Sequence, residues 1–205
     1  MATSKRDEVL KSAWRLFESQ GYHATGINQI ITESGVPKGS FYHYFPEGKE
    51  GLACEAVSAI SDGMHAKLLK VFAATDGPVE AIEALFSEIG RRLSESGYRE
   101  GGPLTTLALE TATTNERINA ECRSAYATLQ REFTEWFTAE GIDDSEALAL
   151  SSLIIAGLEG GILLSRTHHS TEPMEQIARQ LTEQIETRLN QATISRQCIQ
   201  KQEST

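Results

Sequence analysis

Apolar residues recur at every third or fourth position along most of this chain, a spacing that predicts helices throughout and an all-α fold. From Lys5 to Gln20, Val9, Leu10, Ala13, Trp14, Leu16 and Phe17 form a broad stripe closed by Gly21. Ile27, Ile30, Ile31 and Ser34 mark one side of a two-turn helix, with Thr25 placed to cap it and Gly35 to end it in the left-handed conformation. Pro37 suits the first position of a further short helix, where its missing N–H is no loss. At ~100° per residue, Pro37, Phe41, Tyr44 and Phe45 fall on one side of that helix, and Lys38, Gly39, Tyr42 and His43 on the other.

The remaining pattern predicts six further elements. Lys49 to about Phe72 carries Leu52, Ala56, Val57, Ile60, Met64, Leu68 and Val71, and Asp76-Gly77-Pro78 marks a turn. Val79–Ser96, Leu104–Thr113, Asn115–Glu140 and Asp144–Arg166 follow as helices, the last of them the most apolar. A final helix, capped by Thr171 or Glu172, runs through Met174, Ile177, Ala178, Leu181, Ile185 and Leu189, and the polar tail beyond Asn190 is expected to fray. Gly157, Gly160 and Gly161 inside an apolar helix each cost about 1 kcal/mol of helix propensity, so they signal close helix approach or room beside a cavity.

Charge divides the chain in two. The formal net charge is −10, yet residues 1–72 carry 8 Lys+Arg and 8 Asp+Glu, while residues 73–205 carry 11 against 21. A nucleic acid would be repelled by the second part, so any contact with one must be confined to a local face of the first. Cys54, Cys122 and Cys198 are isolated thiols with no C-x-x-C pair and no signal peptide ahead of them, as expected in a reducing cytoplasm. Burial is the expected role of the first two. No apolar run approaches ~20 residues, so no membrane span is expected.

The short helix from Lys38 has one apolar, anchored face and one cationic, small and hydrogen-bonding face, the chemistry of a helix lying in a DNA major groove. The string G-V-P-K-G-S-F-Y-H-Y-F, preceded by T-G-I-N-Q-I and followed by Lys49-Glu50, resembles the DNA-binding signature of the TetR family of bacterial regulators. The motif spans roughly the first quarter of the chain. One residue more than usual separates Phe45 from Lys49, as in the branch typified by a lincomycin-resistance repressor, and L-A-L-E near residue 107 is similar to the same branch.

The resemblance implies a three-helix helix-turn-helix domain over residues 1–48 and a helical effector-binding and dimerisation domain over 49–205. It implies a DNA contact set of Thr25, Lys38, Gly39, Ser40, Tyr42, His43 and Lys49, with Tyr42, Thr25 and Lys49 on phosphates and Lys38, Gly39 and His43 toward base edges. It also implies a homodimer in which the last two helices of each copy form a four-helix bundle, with Ile155, Leu158, Ile162, Ile177, Leu181 and Ile185 as candidate interface residues. Large apolar and aromatic side chains, Phe86, Leu107, Tyr126, Phe133 and Trp136, are either plain core or the wall of an apolar ligand pocket. Thr111, Tyr126 and Glu159 are its candidate polar groups.

Catalysis finds no support in the pattern. His168-His169 is the only histidine pair, and adjacent histidines point apart, so neither a metal site nor a cofactor is expected despite Glu159 and Glu172. The glycines of residues 97–102 lack the G-K-[ST] of a phosphate cradle. The sequence reading is therefore a cytoplasmic, homodimeric regulator that binds an operator and is released by a small, largely apolar or aromatic effector. The alternative is a DNA-binding dimer without such an effector, controlled by a protein partner.

Overall fold

In the computed structural model, which describes residues 4–99 and 101–203, nine helices and no strands are present among the described residues. They are α1 (Lys5–Gln20), α2 (Ile27–Ser34), α3 (Lys38–Tyr44), α4 (Gly48–Ala74), α5 (Pro78–Glu95), α6 (Pro103–Thr111), α7 (Glu116–Ala139), α8 (Asp144–His168) and α9 (Glu172–Glu203). The all-α expectation holds, with helix ends within a few residues of those read from the periodicity except at the C-terminus.

Local chemistry fixes several of these ends. Ser4 and Asp7 form a reciprocal capping box at α1, each side chain accepting from the other's backbone N–H. Asp143 caps α8 by accepting from the Ser145 N–H at 2.9 Å. Ser170 accepts from the Glu172 N–H at the start of α9, and the Thr171 carbonyl takes the first helical bond, from Glu175. Thr25 does not cap α2. Gly26 occupies that position, and the buried Thr25 hydroxyl turns back to donate to the Gly21 carbonyl at 2.7 Å. The polar tail is helical through Glu203 rather than frayed after Asn190, since α9 carries its backbone pairing onward.

Packing gathers the described residues into two compact units. One unit takes the chain up to Met64 together with Ser96–Tyr126; the other takes His65–Glu95 and the chain from Ala127 onward. The first unit thus combines α1–α3 and the start of α4 with α6 and the start of α7. Its core holds Phe17, Ile30, Phe41, Phe45 and Leu52 with Leu104, Leu107, Ile118 and Cys122. Each large side chain buried there contributes about 1.5–3 kcal/mol relative to exposure.

In the second unit α9 packs on both α5 and α8. Gly157 and Gly161 are what let α8 and α9 approach. A Cβ on Gly157 would meet Ile177 at 3.0 Å and Leu181 at 3.2 Å, and one on Gly161 would meet the Met174 sulfur at 2.6 Å. Gly160, by contrast, faces open space. Helix α8 also departs from the membrane expectation: its 25 residues include an 18-residue window of mean hydropathy 2.0 with at most two charges, long and apolar enough by composition to cross a membrane. In the fold it packs against α9 and α5, and much of its remaining apolar surface is exposed at Leu148, Leu153, Leu163 and Leu164.

Candidate nucleic-acid interface

The corner between α2 and α3 is set by two residues. Gly35 adopts φ 64°, ψ 14°, a left-handed conformation that glycine takes without steric cost, and its N–H closes onto the Thr32 carbonyl. Pro37 then stands at the N-cap of α3, one position before the place its ring was expected to fill, and its carbonyl accepts from the Phe41 N–H at 3.0 Å. The helix is anchored from behind by Phe41 and Phe45, whose rings lie 5.8 Å apart in the core. Lys38, Gly39, Tyr42 and His43 are exposed on the other face, Ser40 is half-buried at its edge, and a side chain added at Gly39 would meet nothing within 4 Å. One short helix therefore presents an ammonium, a phenol, an imidazole and a glycine gap together.

Two of the seven candidate contacts sit behind this face. Thr25 is 1% exposed, its hydroxyl committed to Gly21 and accepting from the Gln20 amide. Lys49 turns inward: its ammonium donates to the Tyr22 carbonyl at 3.1 Å and the Thr25 carbonyl at 3.0 Å, and stands 4.2 Å from the Tyr22 ring centroid. Burial pushes the Lys49 amine below its ordinary value, against an opposing pull from Glu110. Burial likewise pushes the Tyr22 phenol up, helped by the Glu50 and Cys54 charges. These groups hold the loop between α1 and α2 under the reading helix.

Helices α6 and α7 brace the same loop and the α3–α4 turn. The Glu110 carboxylate accepts from the His23 N–H at 2.8 Å, and the His23 ring meets the Glu110 carbonyl at 3.3 Å. Gly21, at φ 88°, permits that approach, since a Cβ there would stand 1.9 Å from a Glu110 oxygen. Arg117 pairs with Glu47, Asn115 donates to Glu50 at 2.8 Å, and the Gly101 N–H donates to Glu18. None of these cross-links was read from the sequence, because the partners lie 65 to 87 residues apart and follow no local period.

The candidate pocket residues fall in both units. Leu107 and Thr111 are fully buried in the first, where the Thr111 hydroxyl is satisfied by the Leu107 carbonyl, and Tyr126 packs on the same core. Phe86, Phe133, Trp136 and Glu159 belong to the second. There Trp136 stacks on Phe72 at 3.7 Å, and Phe72 meets Phe133 edge-on at 5.9 Å. Phe86 lines a groove of roughly 460 Å³ between α5 and α9 with Gly90, Met174 and Ala178, edged by Arg91 and Arg179. Among the candidate interface residues, Leu181 and Ile185 are buried inside the second unit, whereas Ile155, Leu158, Ile162 and Ile177 are half-buried. Cys54 and Cys122 are buried as expected, and burial pushes the Cys122 thiol up to about 11.

Comparison with known proteins decides what this helix pair belongs to. The family described as "Bacterial regulatory proteins, tetR family" matches residues 9–56, and "Transcriptional regulator LmrA/YxaF-like, C-terminal domain" matches residues 78–180. The chain belongs to the TetR family. It is 39% identical to the HTH-type transcriptional regulator LmrA of Bacillus subtilis over 173 residues, covering 84% of this chain and 92% of the relative. It is 38% identical to the regulator YxaF of the same organism, covering 86% and 92%. A TetR transcriptional regulator from Legionella pneumophila shares the fold with a TM-score of 0.81 at 21% identity, covering 89% of this chain and 98% of that one. TetR-family regulators bind DNA operators and act as dimers, and this chain is a DNA-binding transcriptional regulator rather than an enzyme.

Proposed function

We propose that the protein is a cytoplasmic, homodimeric repressor that binds an operator through α3 and leaves it when a small, largely apolar or aromatic molecule enters the body. The observation that carries the reading is the exposed face of Lys38, Gly39, Tyr42 and His43 held rigid by buried Phe41 and Phe45. Tyr42 and Ser40 suit phosphate oxygens, and Lys38 and His43 suit base edges. Thr25 and Lys49 serve the same interface from behind, by fixing the loop on which α2 and α3 rest.

A single copy of so short a helix reaches few phosphates, so affinity calls for two. The exposed apolar face of α8 supports the second copy. Leu148, Leu153, Leu163 and Leu164 flank Ser152, Ala156 and Gly160, and small residues at four-residue spacing let two helices approach closely. The half-buried Ile155, Leu158, Ile162 and Ile177 complete the seam, and Leu181 and Ile185 hold α9 to the subunit.

Residues 1–48 read DNA and residues 49–205 carry dimerisation and effector control. Helix α4 begins beside the reading helix and extends ~40 Å at 1.5 Å per residue, so it is the lever through which an effector changes the spacing of two α3 helices. A ligand releases the operator only if it binds the DNA-incompetent dimer more tightly, and a tenfold loss needs about 1.4 kcal/mol of differential binding. The test is an operator titration of pure protein with small aromatic molecules and no added protein. Release supports the reading, and release only on adding a second protein contradicts it.

A further inference from the structure

Glu132 interrupts the apolar stripe that α7 makes with Leu129, Phe133, Trp136 and Phe137. Its side chain is 9% exposed. One carboxylate oxygen, Oε1, is paired with Nδ1 of His65 on α4, while Oε2 is buried and has no hydrogen-bond partner among the described residues. A buried acceptor left unmet costs stability, and a carboxylate costs more than a neutral group. An apolar side chain of similar size would avoid that cost, so Oε2 is an acceptor with unused capacity for an incoming donor. One turn further along α7, Trp136 stacks on Phe72, which lies two turns beyond His65 on α4. The orphan acceptor and an aromatic shelf therefore share the seam between these two helices.

We propose that Glu132 recognises the effector, and that the effector is an aromatic molecule bearing a proton donor, N–H or O–H, accepted by Oε2. This rests on the effector reading given above. The His65 bond fixes the rotation of the carboxylate and leaves Oε2 as the unmet acceptor. At 48% exposure the imidazole has room to swing aside as the guest enters. Two candidate ligands fall short of the set a metal ion needs, and no cluster of three His, Cys, Asp or Glu occurs among the described residues, so an organic donor is the better match. An excess of acidic residues beyond residue 72 also favours guests without negative charge.

Three biphenyl probes test this on the full-length dimer by titration calorimetry: 4-phenylphenol with an O–H donor, 4-phenylbenzylammonium with a cationic N–H donor, and 4-methoxybiphenyl with none. At least one donor-bearing probe should bind the native protein tenfold or more tightly than the methoxy probe, and Glu132→Leu should bring that ratio to about one. Preference for the ammonium that Glu132→Gln abolishes marks a cationic effector, and preference for the phenol that Glu132→Gln partly keeps marks a neutral one. Glu132→Leu should melt no lower than the native protein, since it removes a buried orphan acceptor. If it fails to fold, the Glu132→Gln ratio must still fall at least threefold. No donor preference in the native protein, or a preference that the variants leave unchanged, overturns the proposal. The same probes, added to operator complexes, separate the two readings. Glu132-dependent binding without release sinks the effector reading and leaves the site, while equal release from native protein and Glu132→Leu sinks the site and leaves the effector reading.

Discussion

The ammonium of Lys49 stands 4.2 Å from the centroid of the Tyr22 ring and donates to the carbonyl of the same residue. That single relationship changes what the first residues of α4 do. Gly48, at φ 69°, precedes Lys49, and the lysine side chain reaches back into the α1–α2 loop. It donates to two carbonyls there.

Lys49→Ala is accordingly expected to lower stability by about 2 kcal/mol, the usual scale for charge-assisted hydrogen bonds with a cation–π contact. Operator affinity should drop with it, yet the slope of log affinity against log salt should stay as in the native protein. A lost phosphate contact would instead reduce that slope by about one. Thermal melts and a salt series on the same variant decide between them.

Tyr42 is 43% exposed and its ring meets Phe41 edge-on at 5.2 Å, so a buried neighbour steadies the ring while much of the side chain stays accessible. Tyr42→Phe should weaken binding to all duplexes alike, whereas Lys38→Ala and His43→Ala should change which bases are preferred. Competition assays against operator variants read this directly. A shifted preference with intact affinity in Tyr42→Phe would show that the face is misassigned.

How much of this was legible in the sequence depends on range. The helices, the Gly35 corner, the division of α3 into two faces and the burial of Cys54 and Cys122 follow from periodicity and backbone preference, which act over a few residues. Thr25 carries a good local cap signal, a hydroxyl just before Gly-Ile, but the Gly21 carbonyl, brought round by the loop, takes that hydroxyl instead. The braces from Glu110 and Arg117 and the inward turn of Lys49 depend on long-range packing that no window contains. The sequence reading does not single out Glu132, because its pairing with His65 and its unmet oxygen depend on the packing of α4 against α7.

Assembly gives a paired prediction. Leu163 is 63% exposed on α8, while Leu181 is buried against Gly157. Leu163→Asp should give folded monomers with poor operator affinity, because a carboxylate would have to be buried in the seam. Leu181→Asp should unfold the second unit instead. Sedimentation with circular dichroism separates these outcomes, and a Leu163→Asp protein that remains dimeric would place the seam elsewhere.

Alkaline stability tests the packing of the first unit. Burial disfavours the Cys122 thiolate and pushes the thiol from its ordinary 9.0 up to about 11 in the folded state. Between these values the native state holds a proton that the unfolded state has lost, so stability is present below pH 9 and declines as pH rises toward 11. The loss attributable to this group is at most about 3 kcal/mol. Denaturant melts across that range should show a shallower decline for Cys122→Ala than for the native protein, and equal slopes would mean the thiol is reached by water.

The central claim is that two α3 helices on a dimer read a DNA sequence, and selection of bound duplexes from a random pool, followed by footprinting, tests it most directly. The account predicts an enriched inverted repeat whose half-sites lie about 34 Å apart or a multiple of that, protected on one face, and an altered half-site for Lys38→Ala or His43→Ala. Enrichment of no sequence, or of one indivisible site that these substitutions leave unchanged, would contradict it.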